Sequence, residues 1–246
     1  MAASSQRVHV LLDASVVSTY FIPHSHRSPR VHDVTNTVVE AVRKRAVENV
    51  VLYVPNISIP EVFGTFAKYA YGKWNRQVKR PITPSRYRRL KKVFHDYMRA
   101  GVVFEQYDLT RSHILATDLI APVDHRYQIR KKKGHTSVPM GAVDHMIVAM
   151  GIYLSRIHGR DNVAILTADR RMGDGVRRAE RMMATTASQM KLPERAKDLG
   201  YEWNPSPFPR MLCLPDVGDD LLADFFGTWP LPTRTPRGDK PRADRI

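Results

Sequence analysis

The stretch VHVLLD, residues 8 to 13, decides how the chain is read. Its apolar run has the length of a short buried strand, and it stops at a carboxylate, Asp13, with neither a glycine turn nor a basic neighbour to explain it. Further along, VVLYV at 50 to 54 reads as a second strand ending at Pro55. Between the two, TNTVVEAVRKRAVENV spaces Val38, Val42 and Ala46 at helical intervals after the polar loop HSHRSPR. The order is strand, helix, strand. A helix is expected from near Ser58 through EVFGTFAKYAYG, and a second over SRYRRLKKVFHDYMRA, stopping at Gly101. The strand VVFEQY, a helix over LTRSHILATDLIA, the long apolar helix AVDHMIVAMGIYLSRIH before Gly159, and the strand VAILTAD closing on Asp169 follow. Strands alternating with helices imply an α/β fold, a three-layer sandwich whose central, mainly parallel sheet is flanked by helices and joined by right-handed crossovers.

Composition narrows the partners. The 246 residues are 43% hydrophobic, enough for a proper core, and no run of eighteen uncharged apolar residues suggests a membrane span. The start, MAASSQRVHVLLDAS, lacks the pattern of a secretory signal, so a cytoplasmic protein without a membrane partner is expected. One cysteine, Cys213, excludes an internal disulfide and a Cys-rich metal site, and its setting MLCLP suggests a buried thiol. Lys and Arg number 39 against 24 Asp and Glu, a net charge of +15. A surface so basic gains affinity for nucleic acid by releasing counterions from phosphates; anionic membranes and acidic proteins attract it too. After about residue 200 the chain turns Pro-rich, and its end, PTRTPRGDKPRADRI, is charged and expected to be disordered.

Four acids fall at element ends: Asp13 and Asp169 after strands, Glu61 and Asp144 at the starts of helices. At the carboxyl edge of a parallel sheet such ends face one crevice, so these groups can converge. Crowded carboxylates repel unless a cation sits among them, and hard Mg²⁺ or Mn²⁺ suits oxygen ligands. Each acid also has a structural reading. Glu61 completes the capping box Ser58-Ile-Pro-Glu, Asp144 complements a helix dipole, and Asp169 belongs to a turn with Arg170 and Arg171. Asp13 has none as good.

These residues resemble the PIN-domain ribonucleases, including the VapC-type toxins of bacterial toxin–antitoxin pairs. VLLDASVV is similar to the family's first strand with its metal-binding Asp, and VPNISIPEVFGTFAK to the segment carrying its Glu. AVDHMIVAMGIYLSRI resembles the helix opening with the third acid, and VAILTADRRM the closing strand with Thr and Asp two apart. The resemblance implies that Asp13, Glu61, Asp144 and Asp169 hold Mg²⁺ or Mn²⁺, that Thr167 assists by binding a water or phosphate oxygen, and that Ser15 is the small polar residue after the first acid. It implies a PIN-like nuclease domain over residues 1 to 200 with a basic helical insertion around 71 to 100, an extension over 201 to 232 packed on that domain, and a basic tail over 233 to 246. The activity implied is a metal-dependent endoribonuclease, with RNA as substrate, a homodimer as assembly and, for a toxin, a cognate antitoxin as partner. Length sets the chain apart from the compact toxins: 61 to 144 is longer and more basic, and nothing after about 190 has a counterpart.

The basic residues between Tyr71 and Arg99 interleave with aromatics, a mixture suited to phosphate contact and base stacking. Tyr87, Leu90, Phe94 and Tyr97 recur at core spacing and are assigned to packing, leaving Lys73, Trp74 and Arg76 for RNA. The loop with Arg130, Lys131, Lys132 and Lys133 precedes Asp144 and is a second RNA-binding candidate; a plain solvated loop is the alternative. Asp118 is expected on a polar helix face or paired with Arg111, and Asp174 at a helix N-cap; His145 is read as structural. Two other functions compete. An aspartate-nucleophile phosphatase needs a second Asp where this chain has Ser15, and a non-catalytic RNA-binding or scaffold protein would need the charge but not the acids. A processing nuclease outside toxin–antitoxin systems shares the chemistry of the leading reading.

Overall fold

In the computed structural model, residues 7–23, 28–76, 81–129, 139–203 and 206–232 are described. The strand Val8–Leu12 (β1) lies at the middle of a five-stranded sheet in which every pairing is parallel. Its neighbours are Val50–Pro55 (β2) and Val163–Thr167 (β4), with Glu105–Tyr107 (β3) and Arg210–Cys213 (β5) at the edges, in the order β3-β2-β1-β4-β5. Every residue of β1 and β4 is buried, as a sheet covered on both faces requires.

Alternate side chains divide the core. Val8, Val10, Leu12, Ala164 and Leu166 enter one apolar layer, while Leu11, Val163 and Ile165 enter the other. The first layer is covered by Ala14–Phe21 (α1), Pro29–Arg43 (α2), Ile59–Tyr71 (α3), Pro84–Ala100 (α4) and Asp219–Phe226 (α11). The second is covered by Arg111–Ala116 (α5), Ala121–Ile129 (α6), Ala142–His158 (α7), Arg170–Glu180 (α8), Ala184–Gln189 (α9) and Leu192–Asp198 (α10). This is the α/β three-layer arrangement expected from the alternation. No helix among the described residues is long and apolar enough to cross a membrane.

Local chemistry explains where the expected boundaries move. The helix expected from Thr35 begins at Pro29, whose preset φ suits a first turn, and ends at Arg43. The helix after Asp13, α1, was not expected; its short stretch ASVVSTYF continues the apolar character of β1. VVFEQY shortens to three paired residues because Val103 and Phe104 turn into the core before the strand reaches β2. LTRSHILATDLIA breaks into α5, a 3₁₀ turn over Thr117–Leu119 and α6. There the Thr117 hydroxyl donates to the Ile114 carbonyl at 2.6 Å, and Pro122 has no N–H to continue the ladder. By contrast, α4 stops at Gly101 as expected, with φ 60°.

The segment after residue 200 contributes an edge strand and a core helix. Residues 210–213 supply β5, paired with β4 from Ala164↔Arg210 to Thr167↔Cys213, and Leu222, Phe225 and Phe226 of α11 are buried in the first layer. Four residues around Cys213 are too few to show strand periodicity, and the partner that stabilises them is a strand more than forty residues earlier. Cys213 is buried, as its apolar setting suggested.

Candidate functional site

Because all five strands are parallel, their carboxyl ends share one edge, and helices that follow or precede them begin there. Asp13 follows β1, Asp169 lies two residues past β4 on the adjacent strand, α3 starts after β2, and α7, which returns to the start of β4, begins at the same edge. The fold therefore brings Asp13, Glu61, Asp144 and Asp169 to one open crevice of about 610 Å³.

Asp13 is the buried centre, with 5% of its surface exposed. Two hydroxyls donate to its Oδ2: Ser15 Oγ at 2.6 Å and Thr167 Oγ1 at 2.9 Å. Each hydroxyl in turn accepts an amide from the turn after β4, Ser15 from Ala168 N–H at 3.0 Å and Thr167 from Asp169 N–H at 2.9 Å. The ends of β1 and β4 are thus tied through one carboxylate. Burial pushes Asp13 above the ordinary carboxylate pKa and Asp169 adds to the rise, while the hydroxyls and the Ala14 amide act the other way. Thr167 is fully buried with its hydroxyl committed at both ends, so it positions Asp13 and Asp169 and does not reach the crevice to bind water or phosphate.

The other acids differ in how far their structural readings account for them. Ser58 makes no side-chain cap to α3, and its hydroxyl has no partner, so the Ser58–Glu61 capping box does not form. Glu61 is exposed on the crevice wall, raised in pKa by burial of its carboxyl and then by Asp13 and Asp144. Asp144 does both jobs. Its Oδ2 accepts the Gly141 N–H at 2.9 Å at the start of α7, yet it lines the crevice, and burial, with Asp13 and Asp169, raises its pKa against that amide. Asp169 caps α8 by accepting the Arg171 amide at 2.8 Å and is held by the Arg171 guanidinium, the nearer contact at 2.5 Å. Burial opposes its ionisation, but the bonds from Arg171 outweigh that and hold it below the ordinary range. The turn reading was right about Arg171; Arg170 turns away to Asp216 at 2.8 Å.

Oxygen donors in this number match the chemistry of a hard divalent cation. Among the described residues, however, no group of three or more His, Cys, Asp or Glu is close enough together to hold one ion. The physical reason is visible in the bonds just given. Asp169 is paired with a guanidinium, and Asp144 accepts a backbone amide.

Lys68 on the crevice wall and the buried Asp124 are not among the expected site residues. Lys68 lies on the same face of α3 as Glu61, Gly64 and Thr65, a spacing legible in principle. Asp124 is buried and accepts the Met140 N–H at 2.8 Å and His145 Nε2 at 3.2 Å, fixing the start of α7; nothing in sequence links residues 124 and 145. That leaves His145 structural, as expected. Asp118 pairs with Arg195 at 3.1 Å, not Arg111, and Asp174 sits inside α8 paired with Arg177 at 2.8 Å, not at a helix start.

Of the expected RNA-binding residues, Lys73 alone has a side chain among the described residues. Lys73 is exposed in the 3₁₀ turn after α3 and is not part of the crevice wall. The side chains of Trp74 and Arg76, and all of Arg130, Lys131, Lys132 and Lys133, lie outside the described residues. Phe94 is buried, and Tyr87, Leu90 and Tyr97 pack beside it, as core spacing indicated.

No family model and no curated protein matches the chain. Among solved structures, it is similar to the crystal structure of VapBC2 from Rickettsia felis bound to a DNA fragment from their promoter, at 9% identity and a TM-score of 0.40, over 68% of this chain and 92% of that one.

Proposed function

We propose that this protein is a metal-dependent endoribonuclease that hydrolyses RNA phosphodiester bonds. One observation carries the reading: in a chain of net charge +15, carboxylates from four distant segments meet in a single crevice at the carboxyl edge of the sheet. Structural duty does not account for all of them, since Glu61 caps nothing and Asp13 is buried without a basic partner in its hydrogen-bond network. A protein that only bound phosphate would lose affinity through such a cluster.

In this reading Asp13, Glu61, Asp144 and Asp169 would hold Mg²⁺ or Mn²⁺. A divalent ion there would supply a more acidic water and neutralise charge on the scissile phosphate. Ser15 and Thr167 hold the Asp13 carboxylate at a fixed angle, and the Thr167 hydroxyl holds the turn that presents Asp169. Lys68 and Arg171, which line the crevice, would meet phosphate oxygens in this reading. Residues 1 to 200 are then the nuclease domain, with 201 to 232 as the extension that carries β5 and α11. A toxin form of this activity would take a cognate antitoxin as partner, and a homodimer is its expected assembly.

The test is cleavage of end-labelled RNA by the full chain with Mg²⁺, with Mn²⁺ and with EDTA. Discrete products that need the metal and disappear in Asp13→Asn support the reading. A second reading, a non-catalytic RNA-binding protein, is favoured by the Arg171–Asp169 ion pair, which compensates an acid internally. Binding without cleavage under any of these conditions would establish it in place of the first.

A further inference from the structure

Helix α8 starts at the crevice and carries an unusual charge pattern. Its sequence, RRMGDGVRRAE, followed by Arg181, places residues 170, 171, 174, 177, 178 and 181 on one side of a helix with 3.6 residues per turn. Five of those six are arginines. The opposite side, Met172, Gly173, Gly175, Val176 and Ala179, is buried. Gly173 and Gly175 let that side sit close: a Cβ at Gly173 would lie 3.1 Å from Cys213 Cβ, and one at Gly175 would lie 2.8 Å from Met140 Cε. The helix is therefore locked by its inner face, and its outer face presents a row of arginines.

That row runs from one hollow to another. Arg171 lines the acidic crevice, and Asp174, Arg177, Arg178 and Arg181 line a shallow depression of about 370 Å³ farther along the helix. Asp169, Asp174 and Asp216 engage Arg171, Arg177 and Arg170, which holds these side chains in ordered positions. The basic helix α4 offers no comparable path. Its Arg86 and Arg89 line a hollow with Tyr20, Phe21 and Tyr97, and no residue of α4 lines the crevice, whereas Arg171 of α8 does.

We infer that the outer face of α8 is a phosphate track, along which the backbone of a single-stranded RNA is held as it enters or leaves the crevice. This rests on the ribonuclease reading for the choice of RNA. Guanidinium groups suit the task because they bind phosphate oxygens in pairs, and a track on a rigid helix loses little ordering entropy on binding.

The test measures binding apart from cleavage. A fluorescein-labelled RNA 12-mer is titrated with the full-length protein in EDTA at several salt concentrations, comparing wild type with Arg177→Gln/Arg178→Gln/Arg181→Gln and with a control, Arg86→Gln/Arg89→Gln. Losing three phosphate contacts should flatten the slope of log affinity against log salt by roughly 2, at about 0.7 per contact, and weaken binding roughly tens of fold at 0.15 M salt. The control should keep the wild-type slope. Single Arg→Gln variants, each expected to lose about 0.7, keep the test valid if the triple variant does not fold. A wild-type slope in the α8 variants overturns the inference, as does an equal loss in the α4 control, or tighter binding of a DNA 12-mer than of the RNA. Wild-type protein that binds with the expected slope but never cleaves retires the nuclease reading and leaves the track standing. Metal-dependent cleavage with unchanged slopes does the reverse.

Discussion

Thr167→Val removes one oxygen from a fully buried position and replaces it with a methyl group of nearly the same size. Two bonds go with it: the donation to Asp13 Oδ2 at 2.9 Å and the acceptance from Asp169 N–H at 2.9 Å. Replacing both partners of a buried bond is nearly neutral, but here both partners stay behind unsatisfied, which costs about 1–3 kcal/mol each. Asp13 keeps its Ser15 donor at 2.6 Å, which moderates the first loss. The expected destabilisation is about 3 kcal/mol, or roughly 6–12 °C in Tm for a chain of this size. Thr167→Ser keeps both bonds and loses one methyl group, so about 1 kcal/mol is expected. Urea unfolding followed by circular dichroism, in EDTA at neutral pH, measures both. If Thr167→Val lies within about 0.5 kcal/mol of wild type, or is milder than Thr167→Ser, the hydroxyl does not tie β1 to β4 as described.

The remaining expectations concern charge and packing. Glu61→Gln removes an exposed anion that Asp13 and Asp144 oppose, so Tm in EDTA should hold or rise slightly while metal-dependent cleavage is lost; a clear fall in Tm would restore a structural role for Glu61. Arg171→Gln leaves Asp169 without its guanidinium, so millimolar Mn²⁺ should raise Tm more in this variant than in wild type, by differential scanning fluorimetry; an equal rise would show that Arg171 does not compete with the ion. His9 is held near pKa 4 by burial, then by His158 and Arg7, against an ordinary 6.5. The unfolded chain therefore binds the extra proton first, and stability should be complete above about pH 6.5 and decline as pH falls toward 4, by about 1–2 kcal/mol after allowing for solvent screening. His9→Gln should flatten that decline in urea midpoints. Gly151→Ala would set a Cβ 2.8 Å from Pro209 Cγ and 2.9 Å from Ile165 Cδ1, and overpacking should outweigh the helix-propensity gain, for a net loss of about 1 kcal/mol.

Much of the architecture was legible in the chain because it depends on local periodicity. VHVLL, VVLYV and VAILT are continuous apolar runs, the pattern a doubly covered strand must have, and their alternation with helical segments leaves few topologies to choose from. The order of acids after strands and before helices was legible for the same reason, since a parallel sheet puts those ends on one edge. What local pattern does not encode is which distant group completes each one. The partners of Asp13 are Ser15, two residues away, and Thr167, across the sheet; β5 is a strand only because β4 lies beside it; and Asp124 meets His145 only once α6 and α7 are packed. Ser58 and Glu61 have the spacing of a capping box, yet the 3₁₀ turn before α3 puts Ser58 in a helical conformation, with φ −81° and ψ −20°, where its side chain makes no cap. Arg170 and Arg171 look equivalent in sequence, but 100° of helix turn sends one to Asp216 and the other into the crevice beside Asp169. Periodicity is a property of neighbours in the chain, whereas the charge and hydrogen bonds of the crevice arise between segments that become neighbours only on folding.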